Sequence, residues 1–277
     1  MTTRLHQAAM TSPELKDRDF RRIQEFLYQS SGIHLSDAKR SLVNSRLSNR
    51  LRVLSLSSFE DYFDLAMHLN SVSERTWMID KLTTNETYFF REPEHFVFLH
   101  KLLTSNKKKT SWRIWSGASS SGDEIYTIAM VMADALGLKR EWLVKGSDLS
   151  TKVLKMAALG HYPLTRNEGI DSKRLKKYCL KGVGAQAGTF LIDPSLQQHC
   201  EFSQQNLMDS CDSLGMFDVI FLRNVMIYFD MESKQRVLKN VLRQLKPGGY
   251  LLISLTESLM NIEHSLTQVS PSIYRQD

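Results

Sequence analysis

The chain has 277 residues, 42% of them hydrophobic, with 36 Lys and Arg against 30 Asp and Glu and a formal net charge of +6. That is enough apolar material for one large or two modest domains that fold unaided. Met1-Thr2-Thr3-Arg4-Leu5-His6 lacks the apolar core of a signal peptide, no run approaches the roughly 20 apolar residues of a membrane span, and Cys179, Cys200 and Cys211 form no C-x-x-C pair. A cytoplasmic protein with reduced structural thiols is expected, with no membrane insertion, disulfide framework or metal site.

From about Pro13 to Phe90 the sequence reads as a small all-α module, in which Phe20, Ile23, Phe26 and Leu27 recur at helical spacing and Leu47, Leu51 and Leu54 repeat the pattern. Gly32 and the Ser36-Asp37 pair separate the first two helices, and a further helix is expected over Phe59 to Leu69 with Ser57 or Ser58 as its cap. Between Lys39 and Arg52 stand five basic residues and no acidic one. Lys39, Arg46 and Arg50 fall on one stripe beside Val43, Leu47 and Leu51, so they are expected to face outward while the helix packs inward. An acidic partner, a nucleic acid or a merely solvated face would each account for this excess.

A helix follows Pro93 through Phe96, Phe98, Leu99 and Leu102, and the polar run Ser105-Asn106-Lys107-Lys108-Lys109-Thr110 reads as a linker or exposed loop. The texture then changes to short apolar runs alternating with helical ones: Arg113 to Trp115, Glu124 to Leu136, Leu143 to Gly146 and Thr151 to Leu159. This is the signature of a parallel sheet covered by helices, with Phe217 to Leu222 and Tyr250 to Ser254 as later strands. Between Tyr178 and Phe202, Gly182, Gly184 and Gly188 bracket a short Thr189-Phe190-Leu191-Ile192 run, which predicts an inserted antiparallel hairpin or small sheet.

The turn Ser116-Gly117-Ala118-Ser119-Ser120-Ser121-Gly122-Asp123-Glu124 joins a strand to a helix through small residues, which let a ligand approach the backbone and the helix N-terminus. Asp123 and Glu124 would repel a pyrophosphate but favour a ligand carrying an ammonium and a sulfonium; both also suit a helix N-terminus as structural acids. Asp148, where a second parallel strand should end, can accept hydrogen bonds from ribose hydroxyls, and equally can cap the helix starting near Ser150 or Thr151. Lys246-Pro247-Gly248-Gly249 forms a turn before an apolar strand and carries no reactive group.

The order of these features resembles a class I S-adenosylmethionine-dependent methyltransferase. Two stretches go further. Leu82-Thr83-Thr84-Asn85-Glu86-Thr87-Tyr88-Phe89-Phe90-Arg91-Glu92 and Phe221-Leu222-Arg223-Asn224-Val225-Met226-Ile227-Tyr228-Phe229 closely resemble the two most distinctive motifs of the chemotaxis receptor methyltransferase (CheR) family. The resemblance runs from roughly Phe20 to Tyr274. Its departures are Asp123, where the family usually has glutamate, and Leu255-Thr256-Glu257-Ser258-Leu259 near the C-terminus.

The resemblance implies an α/β protein: a Rossmann-like methyltransferase domain over 111–277 with a β-subdomain at about 178–202, a helical receptor-recognition domain over 1–90, and a connecting helix and linker over 91–110. It implies S-adenosylmethionine as cofactor, S-adenosylhomocysteine as product, and glutamate carboxylates of chemotaxis receptors as substrate. Asn85, Thr87 and Arg91 would contact the cofactor from the N-terminal side, Glu124 its methionine moiety, Asp148 its ribose, Asn206 and Leu207 its adenine, and Asn224 and Val225 its post-strand edge. Arg91 and Tyr228 are the candidates for orienting the accepting carboxylate, and Lys39, Arg46 and Arg50 for reading acidic receptor helices. Some family members hold a receptor's C-terminal pentapeptide by strand addition at the β-subdomain. A cofactor-binding adaptor without turnover, and a methyltransferase for another substrate, are the alternatives; direct nucleic-acid binding is not expected.

Overall fold

The computed structural model describes residues 13–106 and 108–277, so Met1 to His6 and Lys107, on which parts of the leader and linker expectations rest, lie outside the described residues. The described chain forms two compact units, 13–30 with 34–84, and Ser31–Ile33 with Asn85–Asp277. The first unit therefore ends at Thr84, and the Asn85 to Phe90 segment groups with the second.

The first unit is built from α1 (Asp17–Ser31), α2 (Arg40–Val53), α3 (Phe59–Met67) and α4 (Val72–Leu82). Phe20, Ile23 and Leu27 of α1, Val43, Leu47 and Leu51 of α2, and Phe59, Tyr62, Phe63 and Ala66 of α3 form buried stripes at helical spacing. Ser58 caps α3 by accepting the Asp61 amide at 3.1 Å.

The outward basic stripe is corrected by the structure. Lys39 is exposed but belongs to a 3-10 turn, Asp37–Lys39, ahead of α2. Arg46 donates to the carbonyls of Lys81, Leu82 and Thr83 at 3.1, 3.1 and 2.9 Å, satisfying acceptors that the end of α4 leaves open. Arg50 grips Glu74 with Nε at 2.8 Å and with Nη2, and its guanidinium lies 4.9 Å from the Trp77 ring centroid. Tyr62 donates to the same Glu74 carboxylate at 3.1 Å. The stripe beside the core positions faces α4, whose acceptors draw both guanidinium groups inward.

In the second unit, α5 (Pro93–Ser105) precedes β1 (Ser111–Gly117), α6 (Asp123–Leu136), β2 (Glu141–Asp148), α7 (Thr151–Leu159) and β3 (His161–Pro163). There follow α8 (Ser172–Tyr178), β4 (Cys179–Lys181), β5 (Thr189–Ile192), α9 (Pro194–Gln197), β6 (Cys200–Gln204) and β7 (Phe217–Leu222). The chain closes with α10 (Met231–Leu242), β8 (Leu245–Ile253), β9 (Thr267–Ser270) and β10 (Ile273–Arg275).

Seven strands make one sheet in the order β6-β2-β1-β7-β8-β10-β9. β6, β2, β1, β7 and β8 run parallel, while β10 is antiparallel to both β8 and β9. The parallel order reverses direction at β1, whose two neighbours are reached by separate crossovers; the crevice at the C-terminal strand ends beside such a switch point is where open α/β sheets bind ligands. Alternation along β7 feeds two cores: Val219 and Phe221 join the cluster containing α5 and α6 residues, and Ile220 and Leu222 join that of α10.

Lys246 to Gly249 lies inside β8 as an irregularity in its pairing with β7 rather than as a turn before it. Gly248, at φ 71°, turns the chain so that its amide donates to Gln276 at 2.8 Å.

The small antiparallel sheet is present with the order β3-β5-β4, but its bounds differ from 178–202. It recruits β3, three residues including Pro163 and too short to carry an alternating pattern, whereas β6 pairs with β2 in the main sheet. The same central strand, Thr189–Ile192, pairs with both β3 and β4.

Candidate functional site

The site grows from the turn after β1. Ala118 and Ser120 stand at φ 58° and 49°, and Gly122 at 92°, so left-handed positions alternate with ordinary ones and fold the turn over the strand end. Such positions in non-glycine residues persist only where the surroundings hold them. Here the Ser119 amide donates to the Ser147 carbonyl at 2.8 Å and the Ser120 amide to Asp148 Oδ2 at 2.8 Å, tying the turn to the end of β2.

Asp148 also accepts the Ser150 amide through Oδ1 at 2.9 Å, while Ser150 itself caps α7 by accepting the Val153 amide. The capping task thus falls to Ser150, and Asp148 braces the turn. The Gln205 amide donates to the Asp148 carbonyl at 3.0 Å, which brings Asn206 and Leu207, just past β6, to the same edge.

Glu124, in the first turn of α6, accepts Ser116 Oγ at 2.7 Å through Oε1 and Arg223 Nη1 at 2.7 Å through Oε2. Asp123 is fully buried and points elsewhere, to Arg166 at 2.8 Å and to Ser121 Oγ at 2.8 Å. Burial pushes the Asp123 carboxyl above its ordinary value, and the Arg166 charge opposes that shift.

The Asn85 to Arg91 segment is anchored at several points. Ser120 Oγ donates to the Asn85 carbonyl at 3.0 Å, and Arg166 Nη2 to the Thr87 carbonyl at 3.0 Å. Phe89 is buried against Tyr162 and Phe190, with ring centroids 5.2 and 5.9 Å away. Tyr162, on β3, donates its hydroxyl to the Ser121 carbonyl at 2.7 Å. Arg91 Nη1 donates to the Glu86 carbonyl at 3.1 Å, and its guanidinium lies 5.6 Å from the centroid of the half-exposed Tyr88 ring.

Past β7, Asn224 takes φ 57° and donates Nδ2 to Ser254 Oγ at 2.8 Å. Val225 is buried, and Tyr228 ends the 3-10 turn Met226–Tyr228. The Glu257 carboxylate accepts the backbone amides of Asn224, Met226 and Ser254 at 3.0, 2.8 and 2.9 Å. Burial raises its pKa, against the pull of those amide hydrogen bonds.

The structure therefore brings Asn85, Thr87, Arg91, Glu124, Asp148, Asn206, Leu207, Asn224, Val225 and Tyr228 to the C-terminal edge of the parallel strands of one unit. Lys39, Arg46 and Arg50 belong to the other unit. Three organising residues were not singled out from sequence: Arg223, Arg166 and Glu257. A signal existed for the first, an arginine directly after six consecutive buried strand residues.

The donor and acceptor set fits S-adenosylmethionine. Glu124 and Asp148 offer acceptors for an ammonium and for ribose hydroxyls, Asn206 and Asn224 offer amides, and Leu207 and Val225 offer apolar surface for a base. The strand end is closely packed, since a Cβ on Gly117 would press on Leu222 Cδ1 at 3.3 Å and meet Leu207 Cδ2 at an ordinary contact distance of 3.6 Å. Among the described residues no group of three or more His, Cys, Asp and Glu is arranged to hold a metal, and no helix is long and apolar enough to cross a membrane.

Comparison with known families gives two matches covering most of the chain: residues 85–274 match the CheR methyltransferase, SAM binding domain, and residues 18–83 the CheR methyltransferase, all-alpha domain. A chemotaxis protein methyltransferase of Salmonella typhimurium is 37% identical over 94% of this chain and 90% of its own length. Chemotaxis protein methyltransferase 2 of Pseudomonas aeruginosa is 39% identical over 92% of each chain. The counterpart in Escherichia coli is 37% identical over 94% of this chain and 91% of its own.

Proposed function

The chain belongs to the CheR methyltransferase family, and from that premise we infer that it transfers the methyl group of S-adenosylmethionine to glutamate side-chain carboxylates of chemotaxis receptors. It is an S-adenosylmethionine-dependent methyltransferase whose substrates are chemoreceptors. The observation that carries the reading is the clamped Glu124, held between Ser116 and Arg223 at the switch point of the sheet, a carboxylate preset for an ammonium group.

In this reading Glu124 receives the methionine end of the cofactor, Asp148 the ribose, Asn206 and Leu207 the adenine, and Asn224 and Val225 the edge beyond β7. Asn85, Thr87 and Arg91 close the approach. When bound, S-adenosylmethionine supplies an electrophilic methyl on a sulfonium and leaves as S-adenosylhomocysteine.

A receptor glutamate, with a reference pKa of about 4.3, is already ionised near neutral pH, so the chain need not provide a strong base. Its work is alignment and exclusion of water, which can be worth roughly 7–11 kcal/mol in favourable cases. Arg91 and Tyr228 orient the incoming carboxylate. An arginine pressed directly on the nucleophile would slow attack, and the Arg91 hydrogen bond to the Glu86 carbonyl supports a role in setting its approach.

The small sheet offers an edge strand, β4, with Leu180 exposed on it and Val183 exposed just after it, where an extended receptor tail such as a C-terminal pentapeptide can add a strand. Lys39 is the basic residue that we retain as receptor-facing, since Arg46 and Arg50 are committed to α4.

The decisive experiment is transfer of labelled methyl from S-adenosylmethionine to purified receptor cytoplasmic domains, with release of methanol by base as the ester test. Base-labile label that disappears when the receptor glutamates are replaced is the expected result. Cofactor binding without label in any receptor would favour an adaptor.

A further inference from the structure

We propose that Arg223 is a positioning residue that presets the Glu124 carboxylate to receive the cofactor's ammonium, by clamping it together with Glu92. The proposal rests on the reading of Glu124 given above.

Arg223 follows β7, and its side chain is 1% exposed. A guanidinium so buried loses its hydration and persists only with well-formed partners. It has three: Glu124 Oε2 at 2.7 Å, Glu92 Oε2 at 3.1 Å, and the carbonyl of Arg91. These partners come from the first turn of α6, the N-cap of α5 and the segment before it. Both carboxylates are also held by other donors. Glu124 is held from its other oxygen by Ser116, and Glu92 accepts Ser254 Oγ at 2.7 Å and the Leu255 amide at 3.0 Å. The carboxylate plane of Glu124 is thereby set by two donors on opposite oxygens before any ligand arrives.

One cation between two carboxylates leaves a single surplus negative charge. His95 does not cancel it: its Nδ1 lies 3.5 Å from Glu92, but burial, joined by the Arg223 charge, pushes its pKa down to about 4. Asp123 is matched by Arg166, and Glu257 is turned to backbone amides. Burial alone would raise the Glu92 carboxyl, yet the Ser254 hydrogen bond and the Arg223 charge outweigh it and hold it low. The surplus charge is complementary to a cationic amino group at Glu124.

Without Arg223, two carboxylates share a buried site with no counter-ion. Like charges so placed raise one another's pKa, and a protonated Glu124 no longer attracts an ammonium. Binding in the variant must then weaken further as pH falls, which a merely structural defect would not produce.

The test is the affinity of the full-length protein for S-adenosylhomocysteine, read by calorimetry, with folding checked by circular dichroism. Wild-type affinity should be nearly flat between about pH 8 and about pH 6, whereas Arg223→Met should bind about tenfold or more weakly, with the deficit growing toward the lower pH. Adding Glu92→Gln should recover part of the loss by removing the like charge. Arg223→Lys keeps the cation but cannot bridge both carboxylates, so it should fall between wild type and Arg223→Met; it carries the test if Arg223→Met does not fold. Wild-type, pH-independent affinity in the folded variants would overturn the assignment. Glu124→Gln separates the two readings: if it weakens binding while the Arg223 variants do not, only the Arg223 role fails, and if it binds as wild type, the Glu124 reading fails with it.

Discussion

Glu257 accepts the backbone amide of Asn224 at 3.0 Å and that of Met226 at 2.8 Å, so one carboxylate fixes both flanks of Val225 in the turn that leads to Tyr228. The residue lies in the stretch where the sequence departs from its family, yet it anchors one of the family's most distinctive segments. Glu257→Ala leaves several amides unpaired at about 1–3 kcal/mol each and lets the turn relax. Thermal unfolding should shift downward and methyl transfer should fall; full turnover in the variant would show that the turn holds without it.

Arg91, proposed to orient the accepting carboxylate, has its guanidinium turned to the Glu86 carbonyl and the Tyr88 ring. Arg91→Ala is expected to lower turnover on receptor by about tenfold or more while changing S-adenosylhomocysteine affinity much less. Parallel kinetic and binding measurements check this, and unchanged turnover would reject it.

Arg166 and Asp123 form a pair in which the acid is fully buried and the arginine 27% exposed. Removing one partner strands a buried charge, so Arg166→Met should destabilise the protein by about 3–5 kcal/mol. Replacing Asp123 by Asn on that background should return part of the loss. Denaturant titrations of the two single variants and the double variant give the coupling, and additive effects would refute it.

His95 is 1% exposed, and burial holds its pKa down at about 4 against an ordinary 6.5. Between those values the unfolded chain binds more protons than the folded one, so the stability associated with a neutral His95 is present above about pH 6.5 and is lost as pH falls toward about 4. His95→Gln should flatten that part of the stability profile. The amplitude to look for is at most about 3 kcal/mol.

In the helical unit, Arg50→Ala should lower thermal stability because the Glu74 carboxylate, which also accepts the Tyr62 hydroxyl, loses its counter-ion. Lys39→Glu should leave the melting temperature nearly unchanged yet reduce receptor methylation at low salt, with the deficit fading as salt rises. Loss of stability in Lys39→Glu would contradict the exposed placement.

Much of the architecture was legible from the sequence. α7, β5 and β7 have the bounds of the helical and short apolar runs read from the sequence, and Glu124 and Asp148 stand where the sequence put them, at the start of the helix after β1 and at the end of β2. What escaped depends on partners remote in the chain. Arg223 meets Glu124 across 99 positions, and Glu257 meets Asn224 across 33, distances over which no local pattern operates. The basic stripe of α2 failed for a related reason: helical spacing tells which residues share a face, but not that α4 presents Glu74 and open carbonyls to it. β3 was missed because three residues ending in proline carry no alternation, and its partners on β5, reached through the backbone, the His161–Thr189 hydrogen bond and the Tyr162–Phe190 stack, lie 28 positions on.

The hydroxyl of Tyr162 on the Ser121 carbonyl, and the guanidinium of Arg166 on the Thr87 carbonyl, span from the small sheet and its following turn to the glycine turn and the motif before α5. The small sheet is therefore no detachable cassette. A chimera that exchanges residues 161–192 with those of a relative, in order to redirect receptor choice, also exchanges two tethers of the methyl-donor site. Such grafts should carry over Tyr162 and Arg166 unchanged and move their junction to the Asn167 side; otherwise an altered preference and a damaged active site will look alike in the assay.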